Sequence, residues 1–275
     1  MLNVKEKIRQ FVPPIVWAAL SRSKRKLLST SGRPRRRFSE FMSSQSFLVP
    51  FIKVTQDRGT YFVPKFAEHR PASKAIIAGA VYEPDTHYLI DKIFQHKTGS
   101  MVHAGTFFGD MLPTFAHSCL GTVYAFEPVL ENFILAKLCI EENNLENVHI
   151  QNAGLSDSIS IAKINTGNED KKHRGGSSTI SETGQLISLV TIDSLGLDDV
   201  AIIQLDVEGH ELFALKGARH TIERSAPIIM IEDNRHTCEG FLEEMGYSLG
   251  GMIPGLFIWT RPPDRTLVES ILSAK

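Results

Sequence analysis

From residue 100 to the end of the chain, short apolar runs alternate with longer segments whose apolar residues recur at helical spacing. Apolar runs bounded by Gly, Pro and Asp read as buried strands, and the amphipathic segments read as helices. The pattern predicts strands over Ser100 to Ala104, Val123 to Phe126, Val148 to Asn152, Ile187 to Ile192, Ala201 to Leu205 and Ile228 to Ile231. Helices are predicted from the loop Gly105 to Gly109 through Ala116, over Glu131 to Glu142, from Glu211 to about Glu223, and over Glu239 to Met245. Tyr247 to Leu249 and Leu256 to Thr260 read as a closing hairpin, with turn residues in Gly250-Gly251 and Pro254-Gly255. Strands alternating with helices imply an α/β domain, a mostly parallel sheet with helices on both faces and an antiparallel last strand. The polar, Gly/Ser-rich residues 165–185 interrupt this rhythm and are expected to form a mobile loop.

The chain divides into an arm, 1–45, an extension, 46–98, and the α/β domain, 99–275. In the extension, Phe47 to Val54 and Thr60 to Val63 read as short strands. Asp85 to Gln95 reads as a helix on Tyr88, Leu89, Ile90, Ile93 and Phe94. This helix leads straight into the first strand of the sheet, so it is expected to pack near the ligand cleft.

Charge changes the picture of the arm. Residues 1–40 hold eleven Lys or Arg against Glu6 and Glu40, although the whole chain has a net charge of −1. A basic arm on an acidic body suits an anionic partner. Pro13-Pro14 would open a short helix through Trp17 to Leu20 with basic flanks, a composition that suits a bilayer interface. Docking of that helix on the main domain fits the same residues. An anionic membrane surface, contacted through residues 1–37, is the expected partner of the arm, and no nucleic acid is expected. No apolar run reaches the roughly 20 residues a membrane-spanning helix needs. Cys119, Cys139 and Cys238 lack metal-ligand spacing and read as reduced thiols.

In such a sheet, ligands bind at the carboxyl ends of the strands near the switch point. The first loop is His103-Ala104-Gly105-Thr106-Phe107-Phe108-Gly109-Asp110. Gly105 allows a tight turn, and Gly109 lets a helix begin close to a ligand. The second strand ends at Glu127, followed by Pro128, and a carboxylate there can accept both hydroxyl hydrogens of a ribose. An adenosine-containing cofactor follows, either NAD or S-adenosylmethionine. The loop lacks G-x-G-x-x-G and so has no evident pyrophosphate cradle. The closing antiparallel hairpin also favours S-adenosylmethionine over NAD.

Asp206-Val207-Glu208-Gly209-His210-Glu211 follows directly on the apolar strand Ala201 to Leu205. Asp206 and Glu208 share strand parity, so both can project into one cleft. Methyl transfer from a sulfonium needs an aligned acceptor oxygen and a base for its proton, or a metal that makes the hydroxyl more acidic. Asp206, Glu208 and His210 are the candidate catalytic residues, with a divalent ion such as magnesium at Asp206 and Glu208 as an option. Glu211 reads as an acid at a helix N-terminus. His103 and His236 also fall at strand ends.

These segments together resemble the FkbM family of methyltransferases. The resemblance rests on Tyr124-Ala125-Phe126-Glu127-Pro128, Asn152-Ala153-Gly154-Leu155-Ser156-Asp157, Val190-Thr191-Ile192-Asp193-Ser194-Leu195, Ile203 through Glu211, Leu215-Lys216-Gly217-Ala218, and Pro227 through Glu232. It implies a Rossmann-like, seven-stranded methyltransferase sheet and S-adenosylmethionine as cofactor. It also implies O-methylation of a hydroxyl, often on a sugar, surface glycan or natural product. The implied cofactor site takes in His103, Gly105, Thr106, Phe107, Gly109, Asp110, Glu127, Pro128, Asn132, Ala153, Gly154 and Asp206. The family's first loop reads Asp-x-Gly-Ala-Asn-x-Gly. Here His103 stands for the Asp and Thr106-Phe107 for Ala-Asn. That departure leaves a second reading, a non-catalytic binding module of the same fold at a membrane or synthase complex. The expected location is cytoplasmic, peripheral at the inner face of the membrane.

Overall fold

Phe51–Gln56 (β1) and Gly59–Pro64 (β2) pair antiparallel as a hairpin and open the described part of the chain. The structure, a computed structural model, describes residues 49–167, 174–233, 236–262 and 264–274, so the basic arm lies outside it. Two helices follow, Pro71–Ile77 (α1) and Pro84–Phe94 (α2). Then come Ser100–Ala104 (β3), Leu112–Ser118 (α3), Val123–Phe126 (β4), Leu130–Glu142 (α4) and Val148–Gln151 (β5). Gly154–Leu155 (β6), Ser160–Asn165 (β7), Thr179–Ser181 (β8) and Gln185–Val190 (β9) form a small sheet of their own. The chain then returns through Val200–Leu205 (β10), Glu211–Lys216 (α5), Arg219–Ser225 (α6), Ile228–Ile231 (β11) and Glu239–Glu244 (α7). It closes with Ser248–Ile253 (β12), Leu256–Thr260 (β13) and Asp264–Ser273 (α8).

The main sheet has seven strands in the order β12-β13-β11-β10-β3-β4-β5, with β13 antiparallel between β11 and β12. β3 and β10 lie side by side at its centre and are buried along their whole length, as apolar strands covered on both faces must be. Successive side chains point to opposite faces. Met101 joins a core with Leu89, Ile93 and Phe115, while Val102 and Ala104 join a core with Leu215, Ile222 and Leu242. From β3 the chain builds outward to β4 and β5, then crosses back to β10. The carboxyl ends of β3, β4 and β10 therefore flank the switch point, where ligands bind in open α/β sheets.

Most predicted elements are present within a residue or two, and the differences have local causes. The single helix expected from Glu211 is two, divided at Gly217. A Cβ at Gly217 would lie 1.9 Å from the Ser156 carbonyl oxygen, so the chain pinches against that loop. Asp193 then caps the second helix, accepting the His220 and Thr221 N–H groups at 3.0 and 2.8 Å. Gly250-Gly251 lies inside β12 at a register shift, and the hairpin turn falls at Pro254-Gly255. The segment 165–185, expected to be a mobile loop, carries regular structure in its described part. It contributes β8 and a 3₁₀ turn at Gly175–Ser177, while residues 168–173 lie outside the described residues. Helices α1 and α8 and strands β6 to β8 were not predicted.

The extension packs on α4 through Tyr61, Phe62, Leu135 and Leu138, and one amide side chain clasps the edge of β2. Asn143, at the end of α4, accepts the Thr60 N–H at 2.7 Å and donates to the Thr60 carbonyl at 2.7 Å. α2 packs against α3 and α8. The residues just before it, Tyr82 and Glu83, reach the carboxyl end of the sheet.

Candidate active site

The first loop leaves β3 under tight constraint. Gly105 has φ +92°, and a Cβ there would lie 2.0 Å from the Asp206 carbonyl oxygen. Only glycine lets the loop and the end of β10 approach this closely. Phe107 takes φ +50°, a left-handed conformation that a bulky residue rarely adopts. It stands where the resemblance puts Asn, which tolerates that conformation better. Its ring meets Phe108 edge-on at 4.8 Å and lies under Gly175 and Gly176. Thr106 is buried, and its hydroxyl donates to the Phe126 carbonyl at 3.0 Å. Gly109 is buried against Ala136 of α4, away from both cavities described below.

Glu127 ends β4 and is buried. Its carboxyl accepts the Phe107 N–H at 2.8 Å, the Val129 N–H at 2.9 Å and the Asn132 side-chain amide at 3.3 Å. Burial pushes its pKa up to about 7, against the pull of those three donors. Asn132 also donates to the Gly175 carbonyl at 3.4 Å, tying the glutamate to the turn above it.

These groups wall a cleft open to solvent, with about 530 Å³ of empty space in it and at its mouth. Glu127, Pro128, Ala153, Gly154 and Asp206 line it, together with Gly105, Val207, Glu208 and His210. Ile164, Ile180 and Ile187 of the small sheet supply an apolar wall, and Gly175-Gly176 with Ser178 complete the lining. An apolar wall of isoleucines facing the Glu127 carboxyl is chemically compatible with an adenosyl group. A carboxylate has about four acceptor positions, so the three donors already present leave room for a hydroxyl.

A second cavity of about 800 Å³ adjoins the first, and Gly105, Gly176, Asp206 and Glu208 belong to both walls. It is lined by His103, Phe107, Asp110, Gln204 and Glu232 of the domain and by Arg70, Tyr82 and Glu83 of the extension. Arg70 is hydrogen-bonded to Ser177, so the extension and the turn at Gly175–Ser177 together roof this space. His103 is 2 % exposed and its Nδ1 is hydrogen-bonded to Gln204. Burial lowers its pKa to about 4, so the ring is neutral at pH 7. Among the described residues its Nε2 has no protein partner. Asp110 is buried and, among the described residues, answered by its own backbone N–H, and burial raises its pKa to about 7.

Asp206 is half-buried and hydrogen-bonded to Glu232. Burial, that contact and the neighbouring Glu208 and Glu83 carboxylates raise its pKa well above the carboxylate range. Glu208 is exposed, with φ +55°, on the rim between the two cavities. His210 lines the first cavity alone; its Nε2 lies 3.1 Å from the Ser156 hydroxyl and its ring stacks on Phe213. Glu211 holds the loop from beneath, accepting the Val207 and Gly209 N–H groups at 3.0 and 3.2 Å. His236 pairs with Glu239 at 3.0 Å and lines neither cavity.

The structure thus brings Gly105, Glu127, Pro128, Ala153, Gly154, Asp206 and Glu208 to one cleft, and His103, Phe107 and Asp110 to its neighbour. Thr106 and Asn132 brace the walls from behind, and Gly109, expected at the cofactor, lines neither cavity. The magnesium option finds no support. Among the described residues no group of three His, Cys, Asp or Glu side chains could hold a metal ion, and Asp206 faces Glu232 while Glu208 stays exposed on the rim. Arg70, Tyr82, Glu83 and Glu232 were missed as site residues. Glu232 was legible as an acid at the end of a buried strand, but nothing in the extension's sequence marks Arg70, Tyr82 and Glu83 as contributors to the roof.

A seven-stranded Rossmann-like sheet with β13 antiparallel, a glycine-hinged first loop and an acid at the end of the second strand define the methyltransferase class. Within it, the chain belongs to the FkbM methyltransferase family: the family model, Methyltransferase FkbM domain, matches residues 92–249. Among solved structures, the chain is similar to the methyltransferase FkbM from Methylobacillus flagellatus KT, with 19% identity and TM-score 0.44, over 59% of this chain and 43% of that one. It therefore spans less than half the length of that protein. It is also similar to a methyltransferase from Geobacter sulfurreducens (14% identity, TM-score 0.44, 81% of this chain and 97% of that one). A third similar structure is a SAM-dependent methyltransferase from Aquifex aeolicus (17% identity, TM-score 0.37, 65% and 93%). No curated protein matches the chain.

Proposed function

We propose that the chain transfers a methyl group from S-adenosylmethionine to a hydroxyl oxygen, on a sugar of a glycan or on a natural product. The observation that carries this reading is the pair of adjoining cavities that meet at Gly105, Asp206 and Glu208. The first suits the adenosyl group. The second suits the methionine end and the acceptor, with Asp206 at the shared wall. When bound, the cofactor supplies an electrophilic methyl group, and the protein's task is to align the acceptor and remove its proton. Asp206 is the base in this reading, Glu208 orients the acceptor from the rim, and His210 serves the adenosyl side. The second cavity carries the carboxyl groups of Glu83, Asp110, Asp206, Glu208 and Glu232. Such a lining attracts the sulfonium and the ammonium, Arg70 in the same wall can meet the methionine carboxylate, and an acceptor hydroxyl on an uncharged part of the molecule is favoured. The arm, residues 1–37, brings the enzyme to an anionic membrane surface, where lipid-linked saccharides are available. Among the described residues, no helix is long and apolar enough to cross a membrane.

Incubation with S-adenosylmethionine carrying a labelled methyl group and a panel of methyl glycosides tests the reading, with mass spectrometry of the products. Label in an ether-linked methyl group supports it, and absence of S-adenosylhomocysteine binding by folded protein overturns it. The non-catalytic alternative draws on the three donors that already occupy Glu127. Any turnover of the labelled cofactor into a methylated glycoside eliminates it.

A further inference from the structure

β10 and β11 run parallel with Leu205 opposite Ile231, so the next residues, Asp206 and Glu232, emerge side by side at the carboxyl edge of the sheet. The Glu232 N–H donates to the Leu205 carbonyl at 3.0 Å, which fixes its backbone one step beyond the ladder. Both side chains line the second cavity, and the two carboxyl groups are in hydrogen-bonding contact. Behind them stands the buried His103, whose Nε2 has no protein partner among the described residues. A buried imidazole with an unused ring nitrogen at a polar cavity points to a ligand with hydrogen-bonding groups.

We propose that Glu232 is a positioning residue for methyl transfer: it holds the Asp206 carboxyl at the wall shared by the two cavities and makes it the base for the acceptor hydroxyl. This rests on the methyltransferase reading given above. Two carboxyl groups in contact cannot both ionise without cost, and burial together with the Glu232 contact holds the Asp206 pKa well above the carboxylate range. Once Asp206 is ionised, the neighbouring negative charge makes it a stronger base than an isolated aspartate. Glu208 on its own loop adds to that field, as does Glu83 from the extension. The other titratable or charged groups around the cavity are Tyr82 and Arg70 of the extension and His103 and Asp110 of the first unit. In the reacting complex the acceptor O–H proton passes to the Asp206 carboxylate. The acceptor oxygen forms the new O–CH₃ bond, and the S–CH₃ bond breaks with its electron pair left on sulfur. One negative charge is neutralised on Asp206 and one positive charge on sulfur, so the site is neutralised as the reaction proceeds.

The test is an infrared pH titration of the full chain, following the carboxylic-acid C=O band, with the Asp206 contribution assigned by its loss in Asp206→Asn. Glu232→Gln is expected to move the Asp206 midpoint to lower pH by more than about one unit, the separation that marks two interacting sites. Glu232→Asp is expected to restore part of the shift. The rising limb of the pH profile for transfer to methyl glycosides is expected to move the same way. A midpoint unchanged in Glu232→Gln overturns the proposal. Should that variant fail to fold, Glu83→Gln reads the same field from the opposite wall, with a smaller acidward shift expected and no shift again overturning it. Calorimetry with S-adenosylhomocysteine separates the two levels. Wild-type protein that does not bind overturns the methyltransferase reading and the base assignment with it. Binding with an unmoved Asp206 midpoint overturns the role of Glu232 alone.

Discussion

Glu127 accepts the backbone N–H of Phe107 at 2.8 Å, so a carboxyl group from the second strand holds the left-handed turn of the first loop in place. The strained φ at Phe107 persists because this bond, the Phe108 contact and the overlying Gly175 all require it.

Glu127→Ala is therefore expected to affect stability as well as cofactor affinity. It leaves the Phe107 and Val129 N–H groups without their partner in a buried site, at a cost of about 1–3 kcal/mol for each group that water cannot reach. Chemical denaturation reads the loss of stability, and calorimetry with S-adenosylhomocysteine reads the loss of affinity. Unchanged stability would show that the loop does not depend on this contact.

Stability should depend on pH through the same group. Glu127 and Asp110 are raised by burial to about 7 from ordinary carboxyl values of 4.5 and 3.8. Between those limits the folded chain keeps protons that the unfolded chain has released. Their contribution is fully present below the unfolded values and is lost as pH rises through the folded ones. For Glu127 the loss amounts to about 3 kcal/mol at most. The melting temperature is expected to fall from pH 5 to pH 8, and to fall less in Glu127→Gln. Affinity for S-adenosylhomocysteine should move the opposite way, rising as Glu127 ionises and becomes a better acceptor for ribose hydroxyls.

Gly105→Ala places a Cβ 2.0 Å from the Asp206 carbonyl oxygen at a φ of +92°. The loop or the end of β10 must move, and a loss exceeding about 1 kcal/mol is expected from the backbone conformation alone. Denaturant midpoints and S-adenosylhomocysteine affinity should fall together, because the same contact positions both cavity walls.

Removal of residues 1–37 should release the protein from vesicles rich in anionic lipid at low salt, where a polybasic segment binds by charge. Cosedimentation measures this, and equal binding with and without the arm would exclude it as a membrane contact.

Much of the fold was legible in the sequence because β3, β10 and β11 are buried along their length and leave continuous apolar runs. The strands of the small sheet were less visible. β7 and β9 keep Ile161 and Leu186 exposed on one face and bury Ile164 and Ile187 on the other, so apolar residues there do not mark a single side. The helix break at Gly217 depends on Ser156 and Asp193, both distant in the chain, and no local rule anticipates it. The strand-end acids at 127 and 206 were readable from their position after apolar runs. Arg70, Tyr82 and Glu83 were not, since they reach the second cavity only through the packing of the extension on α4 and on the turn at Gly175–Ser177.

The most direct measurement is a crystal structure of the full chain soaked with S-adenosylhomocysteine. The expected result has the adenine against Ile164, Ile180 and Ile187, a ribose hydroxyl on Glu127, and the sulfur at the wall shared by the two cavities beside Gly105 and Asp206. A bound molecule whose sulfur lies away from Asp206, or a folded protein that excludes the compound at saturating concentration, would contradict it.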